Sequence, residues 1–214
     1  MRANEVTGAA LRTVRAIDLG DAYTQLGVQL KRLVRQGSLH RLARGVYYAP
    51  PDDVSTSWIP TMETATAAVA TAYFGDRVPV LMHLTAARMH GAVPRALAVG
   101  IVAVPRQQKP MPLTDRAHGR VIFVKRDVTR LGAVLMATEL GDVLATTREQ
   151  TLLDLAKRPQ LGDAQEQVDE AIRELLPRVD FEQVTKLAGE QRARAALSRL
   201  RKLAPTGRRG HVTA

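Results

Sequence analysis

From Pro50 to Pro60 the chain reads PPDDVSTSWIP, with three prolines, two acids and two serines. Proline fixes φ and removes a backbone donor, so neither a helix nor a central strand runs through such a stretch. It separates a short basic segment from a longer one of alternating strand and helix patterns. The organisation expected is residues 1–50 as one domain, 51–60 as a linker, 61–205 as a second domain and 206–214 as a flexible basic tail.

The N-terminal segment sets the character of the chain. Leu11, Val14 and Ile17 have the spacing of a short helix over 9–17. AYTQLG (22–27) reads as a second helical piece ended by Gly27, and 28–36 as a third, with Gly37 as its C′ residue. HRLARGVYYA then supplies two short strand patterns around an Arg44-Gly45 turn. Three short helices and a two-stranded ribbon form the outline of a winged helix-turn-helix. On a helical wheel Leu26, Leu30, Leu33 and Val34 share one arc and face inward. Val28, Arg32 and Arg35 then centre the opposite face, flanked by Gln29, Lys31 and Gln36. Arg bonds guanine O6 and N7, Gln pairs with adenine, and a Val meets a thymine methyl. His40, Arg41 and Arg44 on the ribbon suit the adjacent DNA backbone or minor groove. A solvated charged face is the plainer reading of 28–36 alone. Together with the preceding helices and the basic ribbon, the pattern favours DNA.

Charge supports a polyanionic partner. The chain of 214 residues carries +10, with a pI near 10.6. Residues 1–50 hold eight Lys/Arg against three acids, and 178–214 hold nine against three. Residues 151–177 carry six acids against three bases. Two basic ends therefore flank a nearly neutral body. Cysteine is absent, which excludes disulfides, thiolate metal sites and a Cys nucleophile and suits the cytoplasm. No signal peptide or run of about 18 apolar residues is present, so no membrane partner is expected.

Beyond the prolines, 61–74 reads as an Ala-rich helix, and 78–82, 97–105, 120–126 and 141–147 as strands. A helix over 85–91 has Thr85 as its N-cap and Gly91 as its stop. Thr146 or Thr147 caps a helix that Pro159 ends, and 162–176 and 180–203 complete a helical C-terminus. The fold class expected is α+β: an N-terminal winged helix-turn-helix domain, then a larger mixed α/β domain with a helical C-terminus. In the last helix an apolar stripe, Leu187 to Leu203, is surrounded by Arg192, Arg194, Arg199, Arg201 and Lys202. These cations either snorkel from a packed helix or make a second contact with DNA or with a protein partner.

GVQLKRLVRQGSLHRLARGVYYAP resembles the N-terminal domain of AbiEi-type antitoxins, with Gly37, Leu39, Arg44, Gly45, Val46 and Tyr47 at the G-x-L and R-G-V-Y positions. HLTAARMHG (83–91) is similar to the family's Ser/Thr-Ala-to-His-Gly helix. His83 and Thr85 stand where Ser is common. TTREQTLLDLA (146–156) is similar to its Thr-Leu-to-Asp-Leu-Ala helix. The resemblance implies a winged-helix domain joined to an α/β antitoxin domain. It also implies repression of the chain's own operon through promoter DNA, and a cognate nucleotidyltransferase-like toxin as partner. The alternatives are a winged-helix transcriptional regulator without a toxin and a DNA-binding nuclease.

Catalytic and metal constellations are weak. His83 and His90 lack a third ligand nearby. Asp154 could act as an acid, but a bond to a neighbouring Arg or helix terminus is the plainer role. Ser38, Ser55, Ser57 and Ser198 lack a nucleophile-elbow context. No Glu-x-Lys of a magnesium nuclease exists, and Glu190-Gln191-Arg192 is its nearest approach. The expectation is a protein that is not an enzyme and needs no metal or cofactor.

Overall fold

The computed structural model describes residues 6–22 and 25–204, with the side chains of 20–22 left aside. The expected basic tail, 206–214, lies outside the described residues. A small antiparallel sheet comes first, built from β1 (Thr13–Arg15), β2 (His40–Ala43) and β3 (Val46–Tyr48) in the order β1-β3-β2. Helix α1 (Leu26–Arg35) lies between β1 and β2 in sequence. A second sheet has six strands: β4 (Val80–Leu81), β5 (Val99–Val104), β6 (Met111–Pro112), β7 (Arg120–Lys125), β8 (Ala133–Thr138) and β9 (Gly141–Thr146). Their order is β6-β7-β5-β4-β9-β8, with β5/β7 and β4/β9 parallel and the other pairs antiparallel.

Helices cover both faces of the larger sheet. On one face lies α2 (Met62–Phe74), whose residues 62–70 are all buried. Thr61 caps it, its side chain accepting from the Thr64 amide. The helix sits directly on β5: a Cβ at Gly100 would overlap Thr66 Oγ1, so only glycine fits there. The other face holds α3 (His83–Met89), α4 (Arg148–Lys157), α5 (Gln165–Leu175), α6 (Phe181–Glu190) and α7 (Arg194–Leu203). Leu152, Leu153, Ile172, Val184 and Leu200 from these helices share a core with Val80, Ile101 and Val124 of the sheet.

The small sheet packs on the far side of α2. Leu42, Ala43, Val46 and Tyr48 join Ala65, Ala68 and Val69 in one core. The proline-rich stretch is irregular but tied down. Arg12 donates to the Ala49 and Pro50 carbonyls, Trp58 stacks edge-on against Tyr48 at 6.1 Å, and Arg116 donates to the Pro60 carbonyl.

Several local expectations change. The helix expected over 9–17 is instead a 3-10 turn, Ala10–Arg12, followed by β1. Leu11 and Arg12 take positive φ, which stops a helix, and Thr13 and Val14 pair with Tyr48 and Tyr47 of β3. Gly27 does not end a helical piece. It lies inside α1, which begins one residue earlier. Thr85 is not an N-cap: α3 begins at His83, and Thr85 Oγ1 accepts from the Ile101 amide at 2.7 Å, fixing α3 to β5. The last helix is broken. Ala193 N–H bonds Ala188 O and Arg192 N–H bonds Gly189 O, a Schellman ending in which Arg192 holds φ 52.

Candidate nucleic-acid interface

Leu30 and Leu33 anchor α1, packing with Val6, Leu39 and Ala49. This fixes which face looks outward. Val28 is 64 % exposed, and Lys31, Arg32, Arg35 and Gln36 are exposed beside it. Gln29 is half-buried. Val34, placed inward by the wheel, lies at the rim at 38 % exposure, because the small core ends at Leu33. Gly37 ends the helix at φ 71 as expected, with Ser38 N–H on Leu33 O.

The β2–β3 hairpin follows at once. Its two-residue turn is Arg44-Gly45, with Gly45 at φ 74, the left-handed geometry glycine accepts most readily. Arg41 and Arg44 are exposed. His40 is partly turned inward: its Nδ1 lies 3.1 Å from the Tyr48 hydroxyl, with the rings edge-on. Burial raises the Tyr48 hydroxyl above its usual range, so it stays neutral beside His40. No Asp or Glu occurs between residues 25 and 49. Lys31, Arg32, Arg35, Arg41 and Arg44 therefore form a cationic surface over helix and hairpin. Two other N-terminal cations have structural work: Arg12 holds the 49–52 backbone, and Arg15 grips Asp18 with two bonds.

The hairpin is also joined to the larger sheet. Ala43 bridges Leu113, Thr114 N–H bonds Leu42 O, and Thr114 Oγ1 donates to Arg41 O.

The C-terminal cations divide. Arg199 donates to Ala156 O at 2.5 Å, satisfying a carbonyl in the last turn of α4. Arg194, Arg201 and Lys202 are exposed on α7. Arg192 lines a cleft of about 350 Å³ with Arg126, Arg130, Lys157, Asp127 and Glu190. The structure thus holds two separate basic regions.

Asp154 is structural. It is 1 % exposed and accepts from Arg126 at 3.0 Å and from Gln150 at 3.0 Å. Arg126 and Gln150 also bond Gln191, beside the break between α6 and α7. Burial raises the Asp154 carboxyl, and Arg126 opposes that rise. The Arg partner is the structural role expected for Asp154 from sequence; the parts that expectation lacks are Gln150 and Gln191, of which only the four-residue spacing of Gln150 and Asp154 is visible in the chain. His83 and His90 serve carbonyls of Arg158 and Thr146, at 3.0 and 2.7 Å. Among the described residues no group of three His, Asp or Glu is placed to hold a metal. None of the described helices is long and apolar enough to cross a membrane.

A model of the AbiEi antitoxin C-terminal domain matches residues 79–206, from just before β4 to just past α7. The fold is similar to the crystal structure of the RV2827C protein from Mycobacterium tuberculosis. The TM-score is 0.58 at 16 % identity, covering 92 % of this chain and 76 % of that one. No curated protein sequence matches. The family match covers more than half of the 214 residues and agrees with the motifs at 83–91 and 146–156, and the chain belongs to the AbiEi antitoxin family.

Proposed function

We propose that this antitoxin neutralises a nucleotidyltransferase-like toxin and represses its own operon by binding promoter DNA. Residues 1–50 act as the winged helix-turn-helix unit, 51–60 as the connection and 61–205 as the antitoxin unit. The observation that carries the DNA role is the acid-free cationic surface of α1 and the β2–β3 hairpin, anchored from behind by Leu30 and Leu33. In this reading α1 enters the major groove with Val28 leading. Arg32, Arg35, Gln29 and Gln36 read base edges. Lys31, Arg41 and Arg44 hold phosphates, and His40 stiffens the wing through Tyr48.

The chain acts by binding and not by catalysis. Among the described residues the most deeply buried carboxylate, Asp154, has its Oδ1 held by Arg126 and Gln150, and His83 and His90 each hold a backbone carbonyl through Nε2. The site of action is the cytoplasm, and no cofactor is required.

Full-length protein is the right reagent, because the hairpin shares its core with α2. The protein should retard its own promoter fragment over random DNA and rescue growth of cells expressing the adjacent toxin. An Arg32→Ala, Arg35→Ala, Arg44→Ala triple variant should lose retardation yet keep rescue. Loss of rescue by the folded triple variant would mean that both activities use one surface. Retardation without any rescue would favour a plain transcriptional regulator.

A further inference from the structure

The hairpin continues the larger sheet at its β6 edge. Ala43 bridges Leu113 antiparallel, and Thr114 N–H bonds Leu42 O. Just before Leu113, β6 pairs with β7 through Met111 and Pro112. The register that sets Ala43 against Leu113 also sets Arg44 against Pro112. Going back along the chain from Leu113 to Lys109 therefore runs in the direction in which β2 runs to its Arg44-Gly45 tip. Lys109 is three residues from Pro112, so it lies within about 10 Å of the level of that tip, at about 3.3 Å per residue. The β5–β6 connection that carries it reads PRQQKP (105–110). Prolines at both ends fix φ, and Gln107 Nε2 donates to the Gln108 carbonyl, which together stiffen the loop. Arg106 and Lys109 are exposed. Arg106 lies over the Phe74 ring at 5.7 Å, a contact that uses no hydrogen-bond donor. No Asp or Glu occurs between Asp76 and Asp115. Asp115 itself is 5 % exposed and held by two bonds from Arg116.

We propose that the loop 105–110 grips the phosphate backbone of the same duplex that the hairpin touches, through Arg106 and Lys109. This rests on the DNA reading given above and extends it into the second domain, since the loop lies within the matched residues 79–206. Each cation neutralises one phosphate and neither reads a base, so the loop adds affinity and orientation without sequence preference. Continuity selects DNA as the occupant. Phosphates recur about every 3.4 Å along one strand of a duplex, so a backbone that meets Arg44 presents further phosphates within the reach of Lys109. A polyanion that continues past the hairpin tip has to pass this loop, whereas a local acidic patch on a protein does not. Thr114 sets the distance between the two contacts, because its Oγ1 donates to Arg41 O and its N–H to Leu42 O.

Mobility shifts of the full chain on its own promoter fragment and on random DNA, from about 0.05 to about 0.3 M salt, test this. Arg106→Ala with Lys109→Ala should weaken both DNAs alike, flatten the salt slope by about two units and cost about thirtyfold at about 0.15 M salt. The preference for promoter over random DNA should stay the same. Hydroxyl-radical footprinting should lose protection at the flank beside the hairpin and keep it elsewhere. Lys109→Ala alone, which disturbs no ring contact, should give about half the change in slope and serves if the double variant misfolds. An unchanged slope and footprint in both variants, with Arg44→Ala still weakening DNA, overturns the loop contact and leaves the role of the hairpin standing. Promoter binding that survives the loss of Arg32, Arg35 and Arg44 overturns the DNA reading of the hairpin, and the loop contact with it. Loss of toxin rescue with DNA binding intact would make the loop a protein contact and overturn the proposal.

Discussion

Replacing Arg126 by Met tests the logic of the interior most directly. Met keeps most of the side-chain length and removes the charge and both donors. In the native protein Arg126 donates to Asp154 at 3.0 Å and to Gln191 at 2.8 Å. Asp154 is 1 % exposed and Arg126 18 % exposed, so water cannot replace the lost donor at the carboxylate. Breaking one side of such a buried pair costs about 3–5 kcal/mol. The partial exposure of Arg126 points to about 3. For a chain of this size that lowers the melting temperature by about 6–12 °C. The pH dependence is specific. Burial already raises the Asp154 carboxyl, against the lowering effect of Arg126. A raised carboxyl gives stability that is complete below its unfolded value and lost as pH rises through the folded value. Without Arg126 the folded value moves higher, so the variant should lose more at pH 7 than at pH 5. Urea unfolding followed by circular dichroism at both pH values measures this. Arg126→Met with Asp154→Leu should recover most of the loss, because no unpaired charge remains. A loss under about 1 kcal/mol, or one independent of pH, would show that the pair is not the interior ion pair inferred here.

Three further outcomes follow from the same geometry. Arg32→Ala or Arg35→Ala should cost about 1–3 kcal/mol on the operator and relax one base position, whereas Arg44→Ala should weaken all sequences and flatten the salt slope by about one unit; equal losses on operator and random DNA for Arg32→Ala would remove its base-reading role. His83 is fully buried at φ 56, and burial, opposed only by its bond to Arg158 O, holds it down at about 4. Its lowered value makes the fold lose stability as pH falls from about 6.5 towards 4, and His83→Asn, which accepts that φ and can donate to the same carbonyl, should flatten the melting profile in that window. Arg192→Gly should raise stability by about 1 kcal/mol in chemical denaturation, because glycine suits the left-handed Schellman position, and a loss would show that the side chain supports the fold.

The legible parts of this fold were those with local causes. Gly37 and Gly91 end their helices because a left-handed residue is needed there. Thr147 caps α4, and the β-branched runs at 99–104 and 120–125 became central strands. The outward face of α1 was readable because two leucines fix its inward one. Other features depend on partners distant in sequence. β1 exists because β3, more than thirty residues later, offers an edge. β8 lacks an alternating pattern because half of it faces solvent at an edge, and β6 is two residues around a proline. Arg199 looked like its exposed neighbours until α4 supplied a carbonyl. Arg126, Gln150, Asp154 and Gln191 come from three separate segments, so no window of sequence contains their network.

The hairpin that carries Arg41 and Arg44 interlocks with α2 through Leu42, Val46 and Tyr48, and α2 in turn is held at its first turn by Glu139, which accepts from Thr61 and Thr64 beside β8. Among the described residues, wing, α2 and β8 are therefore joined by direct contacts. Where binding at one of these places changes affinity at another, the change is reciprocal. A ligand at the β8 side that changes promoter affinity tenfold, about 1.4 kcal/mol, has its own affinity changed tenfold by the promoter. Occupancy of the operator then reports how much of that ligand is present, with no second sensor in the chain.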